Sequence, residues 1–424
     1  MSLARRTLLA AAAAAAVAGC AAPRPRDNGG LTFTPGRTLR TGMSGYAGSL
    51  RDTIGRYLRP TPDHPGHPSY AGAVVLAAVD GVIGAHHAVG DALRYTVGPR
   101  ELPPTQRVPM RPDAIFDLAS ITKIFTSIVA LQQAERGRLA LDAPVADYLP
   151  EFVAGPRGAA KEAVSVRMLL AHTSGLPDVV DLARSPSGSA RRQAILATPL
   201  VLGLVPGTAF RYSDVGMMTL GLLVERATGV PLPALVADGI TRPLGMVDTG
   251  FVPLERLGRD ELAARMVATE AKRGRGLVRG AVHDENAALL GGVAGHAGLF
   301  GTAADLAILG QTLVNGGEYR GARVLAEPTV RLLLTNANAH LPVGTRRAAH
   351  GLGVELDQPW YMGRLAAPAT CGHTGFTGTS IVVDPVRRVV VVLLTNRVHP
   401  DRSFGGINPT RAAVADLVAN SIGG

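Results

Sequence analysis

Cysteine is nearly absent from this chain. Of 424 residues, only Cys20 and Cys371 carry thiols. No cysteine pair at ligand spacing and no His-Glu-x-x-His helix occurs, so neither usual form of zinc site is present. The chain has no phosphate-cradling glycine loop. It also lacks Gly-x-Ser-x-Gly, which excludes the strand-to-helix nucleophile elbow. Lysine is almost as scarce, at Lys123, Lys161 and Lys272, and aromatic residues reach only 4%. The net charge of +10 is therefore arginine charge. It is scattered, with no basic face and few rings to stack bases on, which argues against nucleic-acid binding. No cofactor and no metal is expected.

What is present is enough apolar sequence for a large core, 46% hydrophobic against 18% charged. Residues 1–20 read as a targeting segment. Arg5-Arg6 precede Leu8-Leu9 and an alanine run that is too short for an ordinary membrane-spanning helix. Val17-Ala18-Gly19-Cys20 resembles the lipobox of bacterial lipoproteins, which implies cleavage before Cys20 and lipidation of its thiol. The paired arginines resemble a twin-arginine export signal, though a general secretory signal can carry the same pair. Export would leave Cys371 as the single thiol, with no internal disulfide to brace the fold. Residues 21–44 read as a flexible tether between the outer face of the cytoplasmic membrane and a body spanning 45–424.

The body begins with a helix near residues 46–58. A hairpin follows, with two apolar runs, Ala73–Val79 and Val82–Val89, joined by Asp80-Gly81. A second strand pair, Ser380–Asp384 and Arg388–Asn396, lies close to the other end. After Pro409 a last helix is predicted over Arg411–Ser421. Strands at both ends with helical sequence between them predict an α+β fold. The two ends would form one antiparallel sheet covered by helices, with a mostly helical region inserted at about 120–340.

Three stretches carry chemistry. Ser120 opens a helix-like run that reaches Gln133, and Lys123 follows three residues later on the same face. Neither other lysine has a serine at that spacing. A serine there has an amine beside it and unpaired N–H groups beneath it, the parts of an acyl-transfer nucleophile. Phe210-Arg211-Tyr212-Ser213-Asp214 precedes a second helical run, and Asp214 reads as its N-cap. Gly372-His373-Thr374-Gly375-Phe376 leads into the closing strand. The run Val282-His283-Asp284-Glu285-Asn286 reads as a loop or helix cap. His172 reads as ordering a connecting loop, and His296 lies near the cleft without an assigned role.

Ser-x-x-Lys, Tyr-x-Asp and His-Thr-Gly, in that order, resemble the serine β-lactamase/penicillin-binding-protein superfamily. The similarity is greatest to the branch of class C β-lactamases, D-Ala-D-Ala carboxypeptidases, D-aminopeptidases and esterases. The resemblance covers about residues 46–420. It implies Ser120 as nucleophile, with Lys123 or Tyr212 as its base. It further implies an oxyanion site from the N–H groups of Ser120 and Phe376, with His373, Thr374 and Gly375 on the substrate-facing strand. Lys123 serves as base only when neutral, a state that burial and a nearby positive group favour. Asp214 stands where the family usually has asparagine, and an ionised carboxylate can only accept hydrogen bonds and holds a lysine charged. His373 stands where the family often has lysine, and histidine ordinarily titrates near neutral pH. The expected protein is a monomeric, lipid-anchored serine hydrolase acting on a small-molecule or peptide substrate. Ester, D-amino-acid peptide and β-lactam remain open as substrates. The competing expectation is a penicillin-binding sensor or a non-catalytic envelope lipoprotein of the same fold.

Overall fold

The computed structural model describes residues 31–62, 65–154, 158–342 and 348–422. The targeting segment and Cys20 lie outside the described residues.

Among the described residues the main sheet has eight strands: seven run in one row, and Val108–Pro109 pairs beside Val82–Leu93 off that row. In chain order the seven are β1 (Arg40–Thr41), β2 (Gly72–Val79), β3 (Val82–Leu93), β4 (Glu355–Leu356), β5 (Cys371–Thr374), β6 (Ser380–Asp384) and β7 (Val389–Thr395). Their spatial order is β1-β3-β2-β7-β6-β5-β4. Strands β2 and β7, from opposite ends of the chain, pair antiparallel with Leu76 opposite Val392. The hairpin turn forms where predicted, with positive φ at Asp80 (53°) and Gly81 (77°). Two-residue hairpins with that twist favour Asp-Gly.

The unbroken apolar runs of β2 and β7 have a simple cause. Val74, Leu76, Val390 and Val392 enter the larger core, while Val75, Ala77, Val391 and Leu393 enter a second core on the opposite face. A strand covered on both faces has no polar alternation. Five longer helices matter here: α1 (Ala47–Arg56), α2 (Thr122–Glu135), α3 (Asp214–Thr228), α4 (Ala303–Val314) and α5 (Asn408–Ile422). Helix α4 packs on the first face, where Gly310 lets the helix approach Val390; a Cβ there would meet Val390 Cγ1 at 2.6 Å. Helices α1 and α5 supply residues of the second core, including Leu50, Ile54, Val414 and Val418.

The region between β3 and β4 carries α2, α3 and α4 and, among the described residues, four small sheets not foreseen from the sequence, two of them larger than the others. In one, Leu299–Gly301 is flanked by Phe116–Asp117 and Gly250–Phe251. In the other, Ala268–Lys272 pairs with Gly276–Arg279. Strands of two to five residues are too short to show a period. Helix α2 is buried from Thr122 through Gln133, which is why its apolar residues are not confined to one stripe.

The tether expectation fails for residues 31–44. Leu31 and Phe33 are buried in the larger core, Phe33 rests against Gly316, and Arg40–Thr41 pairs in parallel with Val82–Ile83. Leu31 and Phe33 are two apart, so both can face the body when extended. A pair of residues is too little to read as a pattern.

Candidate active site

The strand Phe116–Asp117 ends at a short 3-10 turn, Ala119–Ile121, which feeds directly into α2. Ala119 adopts φ 47°, a left-handed conformation that costs a non-glycine residue about 1–3 kcal/mol. Its N–H is held by Asp117 Oδ1 at 2.9 Å. This turn presents Ser120 at the mouth of a cavity, and Lys123 follows one helical turn behind it.

The Lys123 side chain is fully buried. Its Nζ donates to Ser120 Oγ at 2.7 Å and to the His296 carbonyl at 3.2 Å. It lies 2.8 Å from Asp214 Oδ1 and 4.9 Å from the centre of the Tyr212 ring. Burial alone would drive the amine toward neutrality. The charge of Asp214 and the neighbouring Tyr212 hydroxyl outweigh it, so the lysine pKa rises instead. The rise expected of a carboxylate at Asp214 therefore outweighs the lowering expected of burial.

The Tyr212 hydroxyl stands close to both Ser120 and Lys123. Burial, aided by Asp214 and opposed by Lys123, pushes its phenol up to about 12. His172 sets the ring's position. The two rings lie 4.7 Å apart, and His172 Nδ1 accepts the N–H of Ser213 at 3.1 Å. The loop-ordering role expected of His172 is thus visible. Asp214, however, is not the cap of α3. Ser213 caps it, with its Oγ accepting from Gly216 N at 2.9 Å. Ser and Asp cap comparably well, and the chain enters the helix one residue earlier. Asp214 thereby gains the freedom to face Lys123.

The third stretch forms β5 and the turn beyond it. Thr374 and Phe376 line the cavity, and Phe376 is 51% exposed. Gly375 cannot be replaced cheaply, since a Cβ would meet Thr379 Oγ1 at 2.1 Å and the Leu118 carbonyl at 2.7 Å. The backbone N–H groups of Ser120 and Phe376 have no protein acceptor among the described residues. His373 differs from expectation. It is buried, with Nδ1 2.7 Å from the Thr374 carbonyl, and it is absent from the cavity lining. Burial and the Lys123 charge hold its pKa well below the ordinary histidine value. It stays neutral through neutral pH rather than titrating there.

The cavity has two lobes that share Ser120, Asp214 and Phe376. The wider, about 440 Å³, is completed by Phe210, Tyr212, Glu355, Gln358, Trp360, Thr374 and Asn408. The narrower, about 210 Å³, adds His283, Asp284, Glu285, His296 and Arg402. As expected of its run, Asp284 caps a short helix, accepting from Ala287 N at 2.8 Å. It also holds His296 Nε2 at 2.9 Å. His296 thereby gains its place in the site, since its carbonyl receives Lys123. Sequence reasoning missed Trp360, Arg402 and Arg411. Trp360 is the only tryptophan, a signal that was available. Arg411 of α5 clamps the 375–379 turn through the carbonyls of Gly375 and Thr379, at 2.9 and 2.7 Å. Nothing local in the sequence announces it.

The beta-lactamase family model matches residues 55–416. This chain belongs to the beta-lactamase family. It is a serine hydrolase of that family and has its α+β fold. The relatives agree. A protein of Escherichia coli (strain K12) named "Putative D-alanyl-D-alanine carboxypeptidase" is 36% identical over 310 residues, covering 67% of this chain and 69% of that one. Among solved structures, a penicillin-binding protein homologue from Caulobacter crescentus superposes with TM-score 0.66 at 23% identity, covering 90% and 99% of the two chains. The hydrolase EstCE1, described as having promiscuous acyltransferase activity, gives 0.63 at 23% identity over 88% and 97%. In this beta-lactamase-family chain, the three separated motifs meet around Ser120.

Proposed function

We propose that this hydrolase forms an acyl-enzyme on Ser120 and cleaves a terminal amide of D-alanyl-D-alanine type, or an ester, at the outer face of the cytoplasmic membrane. The observation that carries the reading is the 2.7 Å contact of Lys123 Nζ with Ser120 Oγ beside the Tyr212 hydroxyl. The named carboxypeptidase relative supports the peptide class, and EstCE1 supports acyl transfer. The lipid anchor rests on the small residues before Cys20.

The chemistry follows from the charges. Ser120 Oγ attacks the substrate carbonyl carbon, and its proton passes into the Lys123–Tyr212 pair. The N–H groups of Ser120 and Phe376 receive the developing oxyanion, each such donor contributing about 3 kcal/mol. The pair then protonates the leaving group, and water releases the acyl chain from Ser120. One proton must leave the pair before it can accept another. Both pKa values are raised, Lys123 by Asp214 and Tyr212 by burial, so the reactive form is scarce at neutral pH and grows as pH rises. The two groups titrate as a coupled unit.

A membrane fraction carrying the full chain should hydrolyse a peptide ending in D-Ala-D-Ala, a p-nitrophenyl ester, or both. Ser120→Ala should abolish this, and Cys20→Ala should shift the activity to the soluble fraction. Activity that survives Ser120→Ala would overturn the reading. Activity that stays membrane-bound after Cys20→Ala would remove the anchor alone.

A further inference from the structure

Asp117 lies three residues before Ser120, is 3% exposed, and belongs to none of the three motifs. Its carboxylate is fully used. Oδ1 accepts the N–H of Ala119 at 2.9 Å, and Oδ2 accepts the N–H of His283 at 2.7 Å. Its carbonyl accepts Thr377 Oγ1 at 2.7 Å. One residue thus ties together three segments distant in sequence. The first is the turn that aims Ser120. The second is the loop whose Asp284 holds His296, and through the His296 carbonyl, Lys123. The third is the 375–379 turn that carries the N–H of Phe376, which Thr379 also fastens to the Leu118 carbonyl at 3.1 Å.

We infer that Asp117 is a positioning residue for the acylation step, holding the N–H groups of Ser120 and Phe376 in register with one another. Only a carboxylate meets this geometry, because both of its oxygens accept. An asparagine would accept one N–H and turn its own NH₂ toward the other. The bond to Ala119 matters most, since it fixes φ at 47°, where alanine rarely sits. Without it the turn relaxes and the Ser120 N–H leaves the cavity.

The inference rests on Ser120 as the nucleophile. Asp117→Asn should lower the acylation rate of a p-nitrophenyl ester about 10²-fold, the size of a lost oxyanion donor, with KM within threefold. Affinity for a phenylboronic acid, which binds Ser120 as a tetrahedral adduct, should fall by a similar factor. The pH profile supplies a readout that fold stability does not move. Burial pushes the Asp117 carboxyl up to about 6, with Asp284 raising it and the N–H bonds and Arg275 lowering it. His283, at about 4, is uncharged in that window. Below about pH 6 the carboxyl gains a proton and loses an acceptor. Wild-type acylation should therefore fall as pH drops through 6, and the Asp117→Asn variant should lack that step. Should Asp117→Asn not fold, Thr377→Val carries the test, with about a tenfold slower acylation expected at unchanged KM. Wild-type acylation and boronate affinity in the folded variants, or an acid step that survives Asp117→Asn, would overturn the inference. A wild type that never acylates on Ser120 would overturn the nucleophile assignment and this inference with it. A wild type that acylates while the variants match it overturns this inference alone.

Discussion

Tyr212→Phe should lower the acylation rate of a p-nitrophenyl ester by about 10²–10⁴-fold, the usual span for losing a general acid–base group. The ring would stay. His172 still packs against it at 4.7 Å, and the Ser213 N–H still anchors to His172 Nδ1, so the variant should fold and keep KM within a few-fold. What disappears is the hydroxyl that stands beside both Ser120 and Lys123. The serine proton then has only a lysine that Asp214 already keeps charged. Stopped-flow release of nitrophenol measures this directly. A loss smaller than threefold would remove Tyr212 from the proton path.

Lys123→Met should have a comparable kinetic effect and a structural cost besides. The ammonium is the fully buried partner of Asp214, whose side chain is 23% exposed. Removing it leaves a carboxylate without its cation. Breaking a fully buried pair costs about 3–5 kcal/mol. The partial exposure of Asp214 reduces this to roughly 2 kcal/mol. The double variant Lys123→Met/Asp214→Asn should recover most of that stability in urea unfolding, yet stay inactive. Asp214→Asn alone separates the two roles in the other direction. Without the carboxylate, the pKa values of Lys123 and Tyr212 both fall, and the reactive form becomes commoner at pH 7. A drop of one unit is a tenfold change in population, so β-lactam turnover by Asp214→Asn should rise about tenfold at pH 7, with the difference shrinking at alkaline pH. Unchanged or slower turnover would contradict the part given to Asp214. Recovery of activity in the double variant would contradict the part given to Lys123.

The reach of the sequence depended on how local each constraint is. Ser120 and Lys123 are joined by helical spacing alone, so their contact was legible. The hairpin through Asp80-Gly81 was legible for the same reason. The arrival of Tyr212 and Phe376 beside them is a tertiary event. It was read through motif order, and no periodicity in the chain encodes it. The cap of α3 went to Ser213 because two adjacent residues were equally suited, and the bond to His172 that decides between them spans 41 positions. Leu31 and Phe33 were too brief a pattern to separate from linker. His373 was misjudged because its titration depends on burial, which a glycine-rich turn conceals. The lining of the narrow lobe includes Asp284, His296 and Arg402, on three separate segments, a convergence that only folding brings about.

The most direct test of Ser120 as the nucleophile is the mass of the peptide that carries it after the protein is incubated with a fluorophosphonate at about pH 9, where the deprotonated fraction of the Lys123–Tyr212 pair is larger than at pH 7. The expected result is a single adduct on Ser120 that forms faster at pH 9 than at pH 7 and is absent from Ser120→Ala. An unmodified Ser120, or an adduct on another residue, would contradict it.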